Sequence, residues 1–121
     1  MKDFHNLKVW VRAHTLTLSI YMATRDFPKD ATFGLTNQMR RSSSSIPTNI
    51  AEGCGRDSQP ELTRFFQIAM GSSSELEYQL ILAQDLHYLD EKTFLELSTE
   101  LSEVRHMLNA LIQKVKHDMS I

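Results

Sequence analysis

Residues 91–118 read EKTFLELSTELSEVRHMLNALIQKVKHD, and within them Leu97, Leu101, Val104, Leu108, Leu111 and Val115 recur at steps of four, three, four, three and four. At 3.6 residues per turn this spacing draws one apolar stripe along a single α-helix, the seam of a helix packed at a shallow angle on its neighbours. Its start is also encoded locally. Asp90 can accept from the free N–H groups of the first turn, while Leu89 and Phe94 occupy the two positions of a hydrophobic staple. The spacing therefore predicts a helix over 91–118.

The three preceding segments carry the same period. Ser58-Gln59-Pro60-Glu61 has the form of a capping box with a proline in the first turn, and predicts a helix over 59–87. Its seam reads Leu62, Phe65, Ala69, Ser72, Leu76, Leu80, Ala83 and His87, the last in a core or capping role. Gly71 lies mid-helix, where glycine costs about 1 kcal/mol against alanine, and a close helix–helix approach would account for it. A helix over 32–54 has Leu35, Met39, Ser42, Ile46, Ile50 and Gly53 as its seam. Pro47 should kink it, Ser42–Ser45 can offer hydroxyls to the freed carbonyls, and Gly53 and Gly55 supply a left-handed stop. A first helix over 6–26 has a broad apolar face of Leu7, Trp10, Val11, Leu18, Ile20 and Tyr21, and ends at Phe27-Pro28. Short connections make sequential helices antiparallel, so residues 1–121 are expected to form one all-α domain, an up-down-up-down four-helix bundle.

The third helix is too apolar for one core. Met70 and Ile81 leave the seam on one flank, Ile68 and Leu86 on the other, and Tyr78 points roughly opposite. A bundle of four has no central helix, so this pattern predicts burial against another chain.

Composition narrows the functional classes. The lone Cys54 excludes an intramolecular disulfide and suits a reducing cytoplasm, and no apolar run reaches the length of a signal peptide or a membrane span. The formal net charge is −2, which disfavours indiscriminate nucleic-acid binding. Residues 1–60 carry 8 Lys/Arg against 5 Asp/Glu (+3), and residues 61–121 carry 5 against 10 (−5). Mutual attraction of the two halves, or solvation of different faces, accounts for that split; a basic patch from the first half, multiplied by oligomerisation, is the alternative.

No arrangement carries catalysis. Glu103-Val104-Arg105-His106 has the E-x-x-H spacing of di-iron bundles, but it is single, and Val104 on the seam turns Glu103 and His106 toward solvent. Cys54 sits at a helix C-terminus, the wrong end of the dipole for a thiolate. Phosphate-binding loops, nucleophile elbows and H-E-x-x-H are absent from the sequence. The chain is expected to be neither an enzyme nor the holder of a cofactor or metal.

One polar strip stands out. Gln38, Arg41, Ser45, Asn49, Glu52 and Arg56 step by three and four along the second helix. They read either as a solvated face with pairs such as Glu52–Arg56, or as a network in which Arg41, Asn49 and Glu52 meet Glu75 and Glu77 within the bundle or across a subunit boundary. In this stretch the sequence resembles the four-helix-bundle proteins encoded in intervening sequences of bacterial 23S ribosomal RNA genes. The carriers are Leu7-x-x-Trp10, Phe27-Pro28, Phe33-Gly34-Leu35, Gln38-x-x-Arg41 and Ser45-Ile46-Pro47-x-Asn49-Ile50-Ala51-Glu52-Gly53 followed by Arg56. Ile68-Ala69-x-Gly71-Ser72 and Glu75-Leu76-Glu77 continue the match in the third helix. The run Ser42–Ser44 departs from the small apolar residues more usual there.

That resemblance implies an antiparallel bundle assembled as a ring-like homopentamer without assigned catalytic activity. It also implies kinship with the accessory protein of diversity-generating retroelements, a pentamer that binds a reverse transcriptase and nucleic acid. Two expectations follow. One is a non-catalytic homo-oligomeric interaction scaffold, with association with RNA left open. The other is a nucleic-acid-binding accessory subunit of a reverse transcriptase or RNA-processing system, whose phosphate contacts would come from Lys8, Arg12, Arg40, Arg41 and Arg56.

Overall fold

The computed structural model describes residues 3–120, with side chains through Asp118. A 3₁₀ turn, Phe4–Asn6, leads into α1 (Lys8–Thr24); α2 (Asn37–Cys54), α3 (Gln59–Asp85) and α4 (Glu91–Ser120) follow. Helices α1 and α3 each pack on both α2 and α4, so they stand at opposite corners of an up-down-up-down four-helix bundle.

The first connection is longer than the sequence suggested. Residues 25–36 form a 3₁₀ turn and a wide turn in which Gly34 leaves helical geometry (φ −107°, ψ −110°), so α2 starts at Asn37 rather than at 32. Phe27, Ala31 and Leu35 of this segment are buried, and Phe27 meets the ring of Tyr88 at 5.3 Å between centroids. The segment thus closes one end of the core.

Local encoding accounts well for the starts of α3 and α4. The Ser58 hydroxyl accepts from the Glu61 backbone N–H at 3.3 Å, and the Asp90 carboxylate accepts from that of Thr93 at 2.7 Å. The latter bond holds the Asp90 carboxyl below its usual range. Along α4 the buried series is Leu97, Leu101, Val104, Leu108, Ile112 and Val115. Ile112 replaces the expected Leu111 because a straight helix drifts off a strict 4-3 alternation.

The end of α3 differs from expectation. His87 is exposed and takes a left-handed conformation (φ 63°), donating from its backbone to Gln84 at 2.9 Å while Tyr88 donates to Ala83 at 2.9 Å. This is a Schellman stop with histidine where glycine is usual, a cap rather than a core position. His87→Gly should therefore raise stability by about 0.5–1 kcal/mol, readable as a higher denaturant midpoint with an unchanged slope.

Pro47 lies within a helix that runs continuously from Asn37 to Cys54. Lacking an N–H, it leaves the Ser43 carbonyl without its helical donor. The serines do not fill that gap. Ser42, Ser43 and Ser44 donate to the carbonyls of Met39, Arg40 and Arg41, three residues back. The partner comes from another helix: Thr17 Oγ1 of α1 lies 3.0 Å from the Ser43 carbonyl and 3.0 Å from that of Ala13. Thr17→Val keeps the shape but orphans a buried acceptor, and should cost about 1–3 kcal/mol in urea unfolding.

The glycines also exchange roles. No glycine among the described residues has positive φ, so neither Gly53 nor Gly55 makes a left-handed stop. Gly53 is instead the point of closest approach, where an added Cβ would lie 3.1 Å from the Leu62 carbonyl oxygen and 3.1 Å from Phe65 Cβ. At Gly71 an added Cβ would meet nothing within 4 Å, so no close contact among the described residues accounts for it.

Candidate functional site

The polar strip divides into separate local arrangements. Gln38, Arg41 and Glu75 line one small pocket of about 200 Å³ between α2 and α3, together with Ser42 and Ser45. Arg41 and Glu75 are exposed and do not form an ion pair. The Asn49 amide donates within α2 to the Ser45 carbonyl at 2.8 Å and to its hydroxyl at 2.9 Å, and Ser45 reaches Ser72 of α3 at 2.7 Å. Glu52 accepts from Arg56 at 3.0 Å, an i,i+4 pair on the surface. Glu77 faces the other way and accepts from Arg105 of α4 at 2.9 Å.

A buried polar contact lies beside this strip and was not anticipated. Ser42 donates to the Gln79 side-chain oxygen at 2.6 Å, with both residues buried. The run Ser42–Ser44 thus departs from an apolar pattern where α3 supplies a buried amide. Gln79 stands three residues after Leu76 and four before Ala83, on the buried face of α3, so the spacing carried a signal that its polar side chain masked.

Most of the candidate phosphate-binding cations have partners in the chain. Arg40 donates to the Thr24 hydroxyl at 2.9 Å and the Tyr21 carbonyl at 3.3 Å, and lies over the Tyr21 ring. It thereby compensates the negative end of the α1 dipole. Arg12 pairs with Glu103 of α4, and Arg56, besides pairing with Glu52, covers the Phe65 ring. Lys8 and Arg41 are exposed. His106 is exposed too, and among the described residues no three His, Cys, Asp or Glu side chains gather as a metal-holding group. Burial pushes the Cys54 thiol up, away from the reactive thiolate.

Two parts of the described surface are apolar. The core residues of α1 are Val9, Ala13, Leu16 and Ile20, whereas Val11, Leu18 and Tyr21 of its broad apolar face are exposed. With the exposed Met22 they cover the outer side of the helix, so α1 as well as α3 is apolar on two sides. Beside them, a groove of about 920 Å³ runs between α1 and α2, from Phe4, Trp10 and His14 past Leu18 and Tyr21 to Pro47 and Ala51. The rings of Trp10 and His14 stack at 5.3 Å, 6° from parallel. On the opposite corner Ile68, Tyr78, Ile81 and Leu86 of α3 are exposed, Tyr78 by 62%. Phe33, in the first connection, is 92% exposed.

Comparison with known proteins places this architecture. The family model of the 23S rRNA-intervening sequence proteins matches residues 5–110. A crystal structure of a protein of unknown function from the S23 ribosomal protein family of Bacteroides thetaiotaomicron superposes with a TM-score of 0.78 at 22% identity, covering 86% of this chain and 97% of that one. At that identity the likeness shows a shared fold. No curated protein sequence matches.

Proposed function

The chain belongs to the family of 23S rRNA-intervening sequence proteins, and on that premise we propose that it is a non-catalytic homo-oligomer, the pentamer that its family resemblance implies, serving as an interaction scaffold in the cytoplasm. One observation carries this reading. Two opposite corners of the bundle present apolar faces, around Leu18 on α1 and Tyr78 on α3, that none of the described residues covers. Single exposed apolar residues are ordinary, but contiguous faces mark contact surfaces. The side chains with chemical potential support the non-catalytic part: Glu103 is held by Arg12, and Cys54 is buried. Light scattering across a concentration series tests it. The wild type should exceed the 13.9 kDa of one chain severalfold, and Tyr78→Asp should lower the mass while leaving the helical signal intact. A wild type at the mass of one chain would refute the reading.

A second reading, a nucleic-acid-binding accessory subunit of a reverse transcriptase or RNA-processing system, has one observation in its favour: α1 contains Lys8 and Arg12 and not one acid. It requires RNA affinity that falls steeply with salt. Arg41→Ala is the informative substitution, because Arg40 also secures the end of α1 and its loss would disturb the fold.

A further inference from the structure

We infer that α2 carries a latched hinge at Ser43–Pro47, that Thr17 of α1 is its latch, and that it opens toward the groove between α1 and α2. Proline at 47 removes one backbone hydrogen bond from the interior of α2, so the helix is weakest where the Ser43 carbonyl has no helical donor. The serine run weakens the same turn further. Ser43 and Ser44 both donate to carbonyls three residues back, and hydroxyl bonds of that kind compete with the helical ladder. Among the described residues the donor that reaches the Ser43 carbonyl is the Thr17 hydroxyl.

The latch is a shared proton. Thr17 has one hydroxyl hydrogen for two acceptors, the Ala13 carbonyl at 3.0 Å and the Ser43 carbonyl at 3.0 Å. The Ala13 carbonyl already receives the Thr17 backbone N–H in the α1 ladder, whereas the Ser43 carbonyl lacks its own ladder donor. The proton therefore serves Ser43 while the hinge is closed. On opening it turns to Ala13, so the hydroxyl stays bonded and only the Ser43 carbonyl needs a new donor. Water can supply it, because Thr17, Ser44, Pro47 and Thr48 all line the groove, and water inserted into a helical ladder is one cause of kinks. Packing sets the direction. On its other side α2 is held to α3, Ser42 to Gln79 at 2.6 Å and Ser45 to Ser72 at 2.7 Å, and Gly53 lies close against Leu62. Both halves of α2 thus stay tied to α3, and the gap widens on the side facing α1. Bending there reshapes the groove along Pro47, Thr48 and Ala51.

Native-state hydrogen exchange of the full chain, followed by NMR across low urea concentrations, tests the hinge. In the wild type the amides of Ile46 and Thr48, which flank the missing bond, should exchange at rates that urea barely changes, because a local opening exposes little surface. Those of Leu76 and Leu108, fully buried in the core, should rise steeply with urea. Thr17→Val should speed exchange at Ile46 and Thr48 about tenfold or more, the effect of orphaning a buried acceptor. Thr17→Ser keeps the hydroxyl and should not. Pro47→Ala returns an N–H to the Ser43 carbonyl, so in that background Thr17→Val should leave both amides unchanged. If Ile46 and Thr48 rise in step with Leu76 and Leu108 in the wild type, α2 opens only with the whole bundle and there is no hinge. A Thr17→Val effect equally large beside Pro47→Ala would overturn the latch and leave Thr17 a packing residue. The wild-type series decides the first point without any variant having to fold.

Discussion

Phe66→Ala should lower the unfolding free energy by about 3–5 kcal/mol, enough to leave a domain of this size barely folded. Phe66 is the largest side chain with no exposure, and it lies where α3 presses on α2. The backbones are already in near contact there, so the helices cannot move together to fill the space, and the cost should fall at the upper end of that range. Urea unfolding followed by circular dichroism would measure it. A loss below about 1.5 kcal/mol would mean that the contact relaxes and is not the rigid centre of the core.

Gly53→Leu should be nearly as damaging, by about 3 kcal/mol, for the opposite reason. The first atom of any side chain at 53 would lie 3.1 Å from a carbonyl oxygen and 3.1 Å from Phe65 Cβ, neither of which is the flexible end of a long side chain. Only the Phe66 ring edge, at 3.2 Å, can yield. Gly53→Ala combined with Phe66→Leu should therefore be less harmful than the sum of the two single changes. That positive coupling, read from a double-mutant cycle, is the signature of direct contact. Strict additivity would show that position 53 and the Phe66 ring do not compete for space.

These two residues also show what the sequence could and could not convey. The seam of α2, from Met39 to Gly53, was readable because that helix has one apolar face against a polar remainder. The broad apolar face of α1 did not say which part packs inward: Ile20 is buried while Val11, Leu18 and Tyr21 are exposed, since a helix apolar on two sides gives no period that distinguishes them. A close helix–helix approach was expected at Gly71, but among the described residues it lies at Gly53. Spacing cannot tell a glycine that lets a neighbour in from one that faces open space. The polar groups were harder still. That Pro47 leaves a carbonyl free follows from its chemistry, yet its partner Thr17 stands 26 residues from Ser43 and is named only by the fold. Likewise Arg40 and Arg12 have the composition of a phosphate-binding patch, and only the packing shows them tied to Thr24 and Glu103.

The central claim is that this bundle assembles with copies of itself through its two uncovered apolar faces. Native mass spectrometry of freshly purified protein, before any removal of bound nucleic acid, tests it most directly. The account predicts a single assembly several times the 13.9 kDa chain, near 70 kDa for the pentamer, which falls apart in Tyr78→Asp. Mass that nuclease removes from that assembly would add RNA to the scaffold. A clean 13.9 kDa species would contradict the account, leaving the faces around Leu18 and Tyr78 as surface without a partner.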